Sequence, residues 1–421
     1  MQPLPIGAIA LISITITQLA NVLKPSQALA GFGNSSIWLI VAAFLFAKSF
    51  IKTGLGRRIA FWLITKMGTS TLKLAYTIIL SDLIISPATP SNAARAGGIL
   101  FPIVRGLASA FDSEPNKNPR RVGAFLIQAE YQGNTVTSAM FMTAMAGNPL
   151  AILLASQALG INMTWGTWAL AAIVPGLIAL AVIPYYLYKV YPPELKKTPE
   201  AQALAQQELA EMGPISYAEK AVAFIFVGAL LLWSTSNLTG LNATVVALLG
   251  VSSMLVTKIL SWQDVLDEKG AWDTLVWMGT LVGLAGQLAK SGVIDWMSGH
   301  ISSALVGVSW LATLVILLLI YFYIHYGFAS LTAHITALYS TFITIAVAAG
   351  APAYLAVLVF AFASNLCMSL THYAAAPAPI YFGAGYVPQS TWWKLGFQVS
   401  VINIVIWFGI GSVWWKVLGL W

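Results

Sequence analysis

A chain of 421 residues that is 58% hydrophobic and only 8% charged, with a mean hydropathy of +0.80, is not a soluble domain, which carries about a quarter charged residues. The formal charge of +7 in such a chain marks basic loops beside a membrane and excludes a nucleic-acid partner. The single cysteine, Cys367, leaves no disulfide framework and no cysteine-based metal site.

In chain order, apolar runs able to cross a bilayer fall at 5–24, 35–52, 71–86, 122–146, 166–191, 217–236, 241–260, 271–290, 306–325, 352–374 and 394–418. The first follows Met1 at once as "PLPIGAIALISITITQLANVL", with no basic n-region. Lys48, Lys52, Arg57, Arg58, Lys66 and Lys73 then follow without an intervening acid. Among them "GLGRRIAFWLITKMG" predicts an amphipathic helix in the cytoplasmic interface. The polar stretch 189–220, with its Ala/Gln/Glu run, predicts a surface helix between two halves of the molecule. Trp262, Trp272, Trp392, Trp393, Trp414 and Trp415 stand near segment ends and fit interfacial belts.

Each half also carries a polar, hairpin-like insertion followed by an apolar segment interrupted by small polar residues and proline. In the first half these are "SPATPSNAARAGG", within 86–110, and "QGNTVTSAMFMTAMAGNP", 132–149. In the second they are "HYGFASLTAHIT", 325–336, and "SNLCMSLTHYAAAPAPI", 364–380. Matched interruptions in two halves point to a transporter site near the midplane, because irregular backbone at that depth must be buried or line a wet cavity. Pro87 and Pro90 end one helical arm, and Ser91 and Asn92 suit an N-cap for a helix starting near Ala93. Such an N-terminus favours an anion, while unwound carbonyls and hydroxyls favour a hard cation such as sodium. Ser330, Thr332 and His334 repeat the pattern; Asn134, Thr135, Thr137, Ser364, Thr371 and His372 add neutral polar groups. The candidate sodium ligands are Ser86, Thr89, Gly133, Asn365 and Ala374.

Ionisable residues at membrane depth are functional candidates by default. Arg95 has two readings, a clamp on a substrate carboxylate or an ion pair with Asp82 or Glu130 that holds the hairpin. Asp82 and Glu130 are candidates for relaying protons, for neutralising a cation or for structure. His372 is the histidine best placed to touch substrate, His325 reads as a packed polar residue, and His300 sits by a loop. No Gly-rich nucleotide loop, G-x-S-x-G elbow or H-E-x-x-H pair is present, which argues against an enzyme. His325 and His334 are nine apart, which does not set them on one helical face as metal ligands.

The stretches "TPSNAARAGGILFPI" (89–103), "HYGFASLTAH" (325–334) and "SNLCMSLTHYAAAPAPIYFGAGYVPQSTWWKLGF" (364–397) resemble the divalent anion:sodium symporter family. Within it they are most similar to the branch of bacterial citrate/tartrate:succinate antiporters and plastid 2-oxoglutarate/malate translocators. The resemblance implies an all-α, inverted-repeat elevator transporter, a homodimer in the lipid bilayer, moving small carboxylate anions. It divides the chain into scaffold (1–70), transport part with the first re-entrant hairpin (71–165), scaffold with polar connection 192–216 (166–305) and transport part with the second hairpin (306–421). Substrate would be held by Ser91, Asn92, Ser330 and Thr332, helped by Asn134, Thr371, His372 and Arg95. The family's Ser-Asn-Thr signature maps onto Ser91, Asn92 and Ala93, with a hydroxyl missing at Ala93, and its second copy has Leu331 where relatives carry asparagine. The first departure bears on substrate preference; the second weakens one sodium ligand set, which suits exchange without sodium, with sodium symport as the alternative. Relatives usually have another helix before the first segment, so its absence reads as a truncated start. A bacterial inner membrane is the expected location, a plastid inner envelope the alternative, and no cofactor is expected beyond sodium as a coupling ion.

Overall fold

A computed structural model describes residues 4–292 and 309–421. The expected boundary at 305/306, the start of the 306–325 segment and His300 lie outside these residues. Among the described residues every regular element is helical. The helices α1 (Ile6–Leu19), α2 (Ser35–Thr53) and α3 (Leu55–Met67) open the chain. The Asn34 side chain caps α2 by accepting from Ser36 N–H at 2.9 Å. Gly54, at φ 76°, ends it in the left-handed region and turns the chain straight into α3.

The basic run does not stay free. The polar connection forms α9 (Glu200–Glu211), which lies along α3. Arg57 pairs with Glu208, and Arg58 donates to Glu219 Oε1 (2.5 Å) and to Gly213 O (3.0 Å). Lys52 reaches Asp264 at 2.6 Å and Lys48 reaches Glu268 at 3.6 Å. The exposed pairs, those of Arg57, Lys52 and Lys48, contribute about 0–1 kcal/mol each, so their effect here is to fix which elements meet at this end, while the Arg58–Glu219 pair is largely buried. With α10 (Tyr217–Ser234), α11 (Ala243–Val256) and α12 (Lys269–Lys290), α1–α3 and α9 make one packed group.

The second group contains the interruptions. In the first half α4 (Thr71–Ile85) ends in a tight turn, Ser86–Ala88, and the chain returns through wide helical turns, Ala93–Leu100, into α5 (Phe101–Ala110). Then come α6 (Gly123–Met140), an irregular stretch 141–146, and α7 (Gly147–Leu159). The second half repeats this order: α13 (Trp310–Tyr323), a turn, α14 (Leu331–Ala348), α15 (Ala353–Leu366), an irregular stretch 367–377, and α16 (Ala378–Gly383). A final α17 (Gln389–Val417) closes the chain. All of α6 is buried, which is why a helix rich in Gln, Glu, Asn and Thr is stable at membrane depth: no lipid reaches it.

Three expectations are corrected here. The first interruption is shorter than 132–149, because α6 runs unbroken to Met140. Gly133 therefore sits in mid-helix, its carbonyl within the helical ladder, where a Cβ would stand 2.6 Å from Ile79 Cγ1; it lets α4 and α6 cross closely instead of ligating an ion. The helix α8 (Trp165–Val190), expected with the scaffold, is bonded to the hairpin group. Trp168 Nε1 donates to Ala139 O (2.9 Å), Tyr76 Oη to Ala181 O (2.6 Å), and Trp415 Nε1 to Ala171 O (2.8 Å). Trp392 and Trp415 are fully buried and pack on Tyr131 and Phe362, so they belong to the core and not to an interfacial belt.

Candidate functional site

Both hairpins turn on the same cap. Ser91 Oγ accepts from Ala94 N–H at 3.1 Å, and Ser330 Oγ accepts from Ala333 N–H at 3.3 Å. Each serine starts a returning arm of two or more helical turns, leaving the preceding N–H groups of that first turn, at Asn92 and Ala93 and at Leu331 and Thr332, for an outside partner. The expected cap therefore stands at Ser91, one residue before Asn92. The Asn92 amide, nearly buried, points across to Met368 Sδ (3.4 Å). The first tip thus rests on the irregular stretch of the second half. Of the two arm glycines, Gly97 sits against Ile380 of α16, while Gly98 faces open space.

Arg95 is fully buried, and four of its N–H groups are committed inside the protein. Nε donates to Asp82 Oδ1 (2.6 Å), Nη1 to Thr89 O (2.8 Å) and Ala144 O (3.0 Å), and Nη2 to Ser138 Oγ (2.9 Å). The ion-pair reading with Asp82 is the geometry found, and the clamp reading is not. Asp82 Oδ2 accepts from Asn134 Nδ2 (3.0 Å) and from Thr137. Asn134 is thereby held on the carboxylate, its Oδ1 buried without a partner. Thr89 and Ser86, expected as ion ligands, are occupied as well. The Thr89 carbonyl is taken by Arg95, and Ser86 Oγ donates to Leu83 O at 2.9 Å.

In the second hairpin His325 and His334 meet. Their spacing excluded a shared helical face, but the hairpin folds one back on the other. His325 Nε2 lies 3.0 Å from Ala374 O, and its Nδ1 lies 2.9 Å from His334 Nδ1. Only a nitrogen bearing hydrogen can face the carbonyl, so His325 Nδ1 accepts and His334 Nδ1 donates. That leaves His334 Nε2 as a buried lone pair with no partner. Cys367 Sγ stands 3.8 Å from His334 Nδ1, and the three potential ligand atoms lie within 4.8 Å of one another. The Ala374 carbonyl, expected on a sodium ion, is occupied by His325.

The two irregular stretches are joined. Asn365 Nδ2 donates to Asn148 Oδ1 (2.7 Å), and Asn148 Nδ2 in turn holds Ser138 O and Phe141 O, both at 2.9 Å. Tyr131 Oη donates to Met368 O (2.6 Å) and Gln132 Nε2 to Ser369 O (3.3 Å). Around this junction Thr371 Oγ1, Ser369 Oγ, Asn365 Oδ1 and Gln132 Oε1 are buried without a partner. Unsatisfied groups in a dry core cost about 1–3 kcal/mol each, and a cluster of them beside two helix N-termini is the chemistry of a site that a polar ligand completes. His372 is half-buried, its Nδ1 accepting from Trp393 Nε1 at 3.0 Å. Thr332 stands on the second tip, partly exposed.

Asn148, Tyr131, Gln132, Ser138 and Ser369 escaped the sequence-based choice of site residues. Asn148 had a signal, since it directly precedes Pro149 in the interruption. Tyr131, Gln132 and Ser138 lie in helical register, where only the packing reveals their partners, and Ser369 lies in the irregular stretch of the second half.

Two helical hairpins with capped tips, meeting two interrupted helices in a buried polar core, define a secondary membrane transporter. The family model for the sodium:sulfate symporter transmembrane region matches residues 1–421, and the chain belongs to that divalent anion:sodium symporter family; it is a transporter and not an enzyme. It is 49% identical to the putative malate transporter YflS of Bacillus subtilis over 421 residues, covering 100% of this chain and 88% of that one. It is 43% identical to the chloroplastic dicarboxylate transporter 1 of Spinacia oleracea, covering 100% of this chain and 74% of that protein. The solved YdaH transporter of Alcanivorax borkumensis shares the fold, with a TM-score of 0.64 at 12% identity, over 92% of this chain and 86% of that one.

Proposed function

We propose that this chain exchanges di- and tricarboxylates of the succinate, malate, 2-oxoglutarate, citrate or tartrate class across a bacterial inner membrane, without sodium. The observation carrying this reading is the position of Arg95. Its guanidinium already donates to the carbonyl of Thr89, one of the candidate sodium ligands, and to that of Ala144. His325 occupies Ala374 O in the second. Donors fixed by the protein on two candidate sodium ligands, Thr89 and Ala374, support exchange without the cation, and helix-starting tips with N–H groups directed outward suit carboxylates. The hairpin group, including α8, α13 to α17 and residues 71–159, is read as the moving body of an elevator. The group of α1–α3 and α9–α12 is read as its scaffold and the dimer contact.

The test is counterflow in proteoliposomes. Labelled succinate or malate should enter only against an internal dicarboxylate, equally well in sodium and in choline medium. Asn92→Ala should lower uptake at least tenfold while the protein still elutes as a folded species. Uptake that needs sodium and ignores the internal anion would move the chain to symport.

A further inference from the structure

We propose that Glu130 is a proton-binding site of the moving body, taking up a proton as the anion binds and releasing it as the anion leaves. Glu130 lies in α6, buried like its neighbours, and both carboxyl oxygens lack a hydrogen-bond partner. The contrast is with Asp82, whose oxygens are held by Arg95, Asn134 and Thr137, and with Glu219, which is held by Arg58. The titratable groups acting on Glu130 are Asp82 from α4, Arg95 from the returning arm and Tyr381 from α16. None supplies a counter-charge to spare. Arg95 is committed to Asp82, and Tyr381 Oη donates to Ala96 O at 3.0 Å.

Position gives this acid a role. The next two residues, Tyr131 and Gln132, hold Met368 O and Ser369 O, so Glu130 lies at the level of the irregular stretch where the anion is read to bind. An arriving dicarboxylate brings two negative charges into a core that already contains one ionised acid. Repulsion in that low-dielectric setting disfavours a second carboxylate. A carboxyl buried with neither a hydrogen-bond partner nor a free counter-charge is not stable as an ion, so the arrangement described is the proton-bound one. The balanced step is Glu130 carboxylate, where the empty site stands open to water, plus one proton from that aqueous side giving the neutral acid as the anion binds. By linkage, the proton then favours the anion as much as the anion favours the proton. The inference rests on carboxylates being the cargo.

The experiment is calorimetric titration of the purified full-length protein with succinate at pH 8, where the free ligand is fully ionised. It is run in two buffers of different ionisation enthalpy. The expected result is uptake of up to one proton per bound anion in the wild type and none in Glu130→Gln, which still binds. Succinate affinity should weaken up to tenfold per pH unit in the wild type and stay flat in the variant. The same proton number in both proteins, or none in the wild type, overturns the proposal. Should Glu130→Gln not fold, the infrared carboxylic C=O band that succinate induces in the wild type decides, and its absence overturns the proposal. No binding of any carboxylate overturns the cargo reading, and this one with it; binding without proton uptake overturns this one alone.

Discussion

Four residues after Ser91 the first hairpin has Arg95, locked to Asp82; four residues after Ser330 the second has His334, bonded to His325. The caps are alike, and what stands behind them differs. In the first, a fixed pair of full charges spends nearly every hydrogen-bonding group on protein. In the second, two imidazoles and a thiol hold one another and leave His334 Nε2 unpartnered. The same backbone device can therefore be rigid on one side and adjustable on the other. A salt bridge permits one arrangement, while the imidazole pair keeps its direction only as long as His325 Nε2 faces the Ala374 carbonyl and can exchange donor for acceptor, by moving protons alone, once that contact opens.

The largest break of this comparison is Arg95→Gln. It strands Asp82 as a buried unpaired charge, which costs about 3–5 kcal/mol, and it should abolish counterflow and lower the thermal unfolding temperature in detergent. Wild-type unfolding of that variant would show the first hairpin to be no more rigid than the second. A smaller effect is expected from His334→Asn, which removes the bond to His325 but leaves His325 Nε2 on Ala374. Loss of one neutral hydrogen bond should cost about 0.5–1.5 kcal/mol and slow exchange without unfolding the protein. A double-mutant cycle with His325→Asn should give a coupling well below that of Asp82 with Arg95. Near-equal couplings would erase the distinction.

The smallest effect comes from the same chemistry placed outside the core. Lys52, then Ser261, holds the Asp264 carboxyl at a pKa of about 2, below its ordinary 3.8. A lowered acid contributes stability above its ordinary value and loses it as pH falls through the folded one. The wild type should thus lose a small increment between pH 3.8 and about 2 that Asp264→Asn lacks, seen as converging unfolding temperatures. At this partly exposed site the difference should stay under about 1 kcal/mol.

Much of this was legible from composition and punctuation. Pro87, Pro90 and Ser91 placed the first tip because proline and serine act locally, through a missing N–H and a reachable hydroxyl. The second tip followed from Ser330 in the same way. What failed was whatever depended on distant partners. Gly133 and Asn134 resemble a break in sequence, yet the close approach of Ile79 and the Asp82 carboxylate keep them helical. The histidines looked too far apart because a periodicity argument assumes one helix. Trp392 and Trp415 looked interfacial because residues near segment ends can still face inward.

The Asp82–Arg95 pair has an electrical consequence. Moving one elementary charge through a membrane potential involves about 2.3 kcal/mol per 100 mV. Because these two buried charges cancel within the body that carries them, they add nothing to that work in either direction. In the proposed exchange this pair leaves the voltage to act on the cargo and on Glu130, and swapping one dianion for another, each with its proton, leaves the membrane's polarisation untouched.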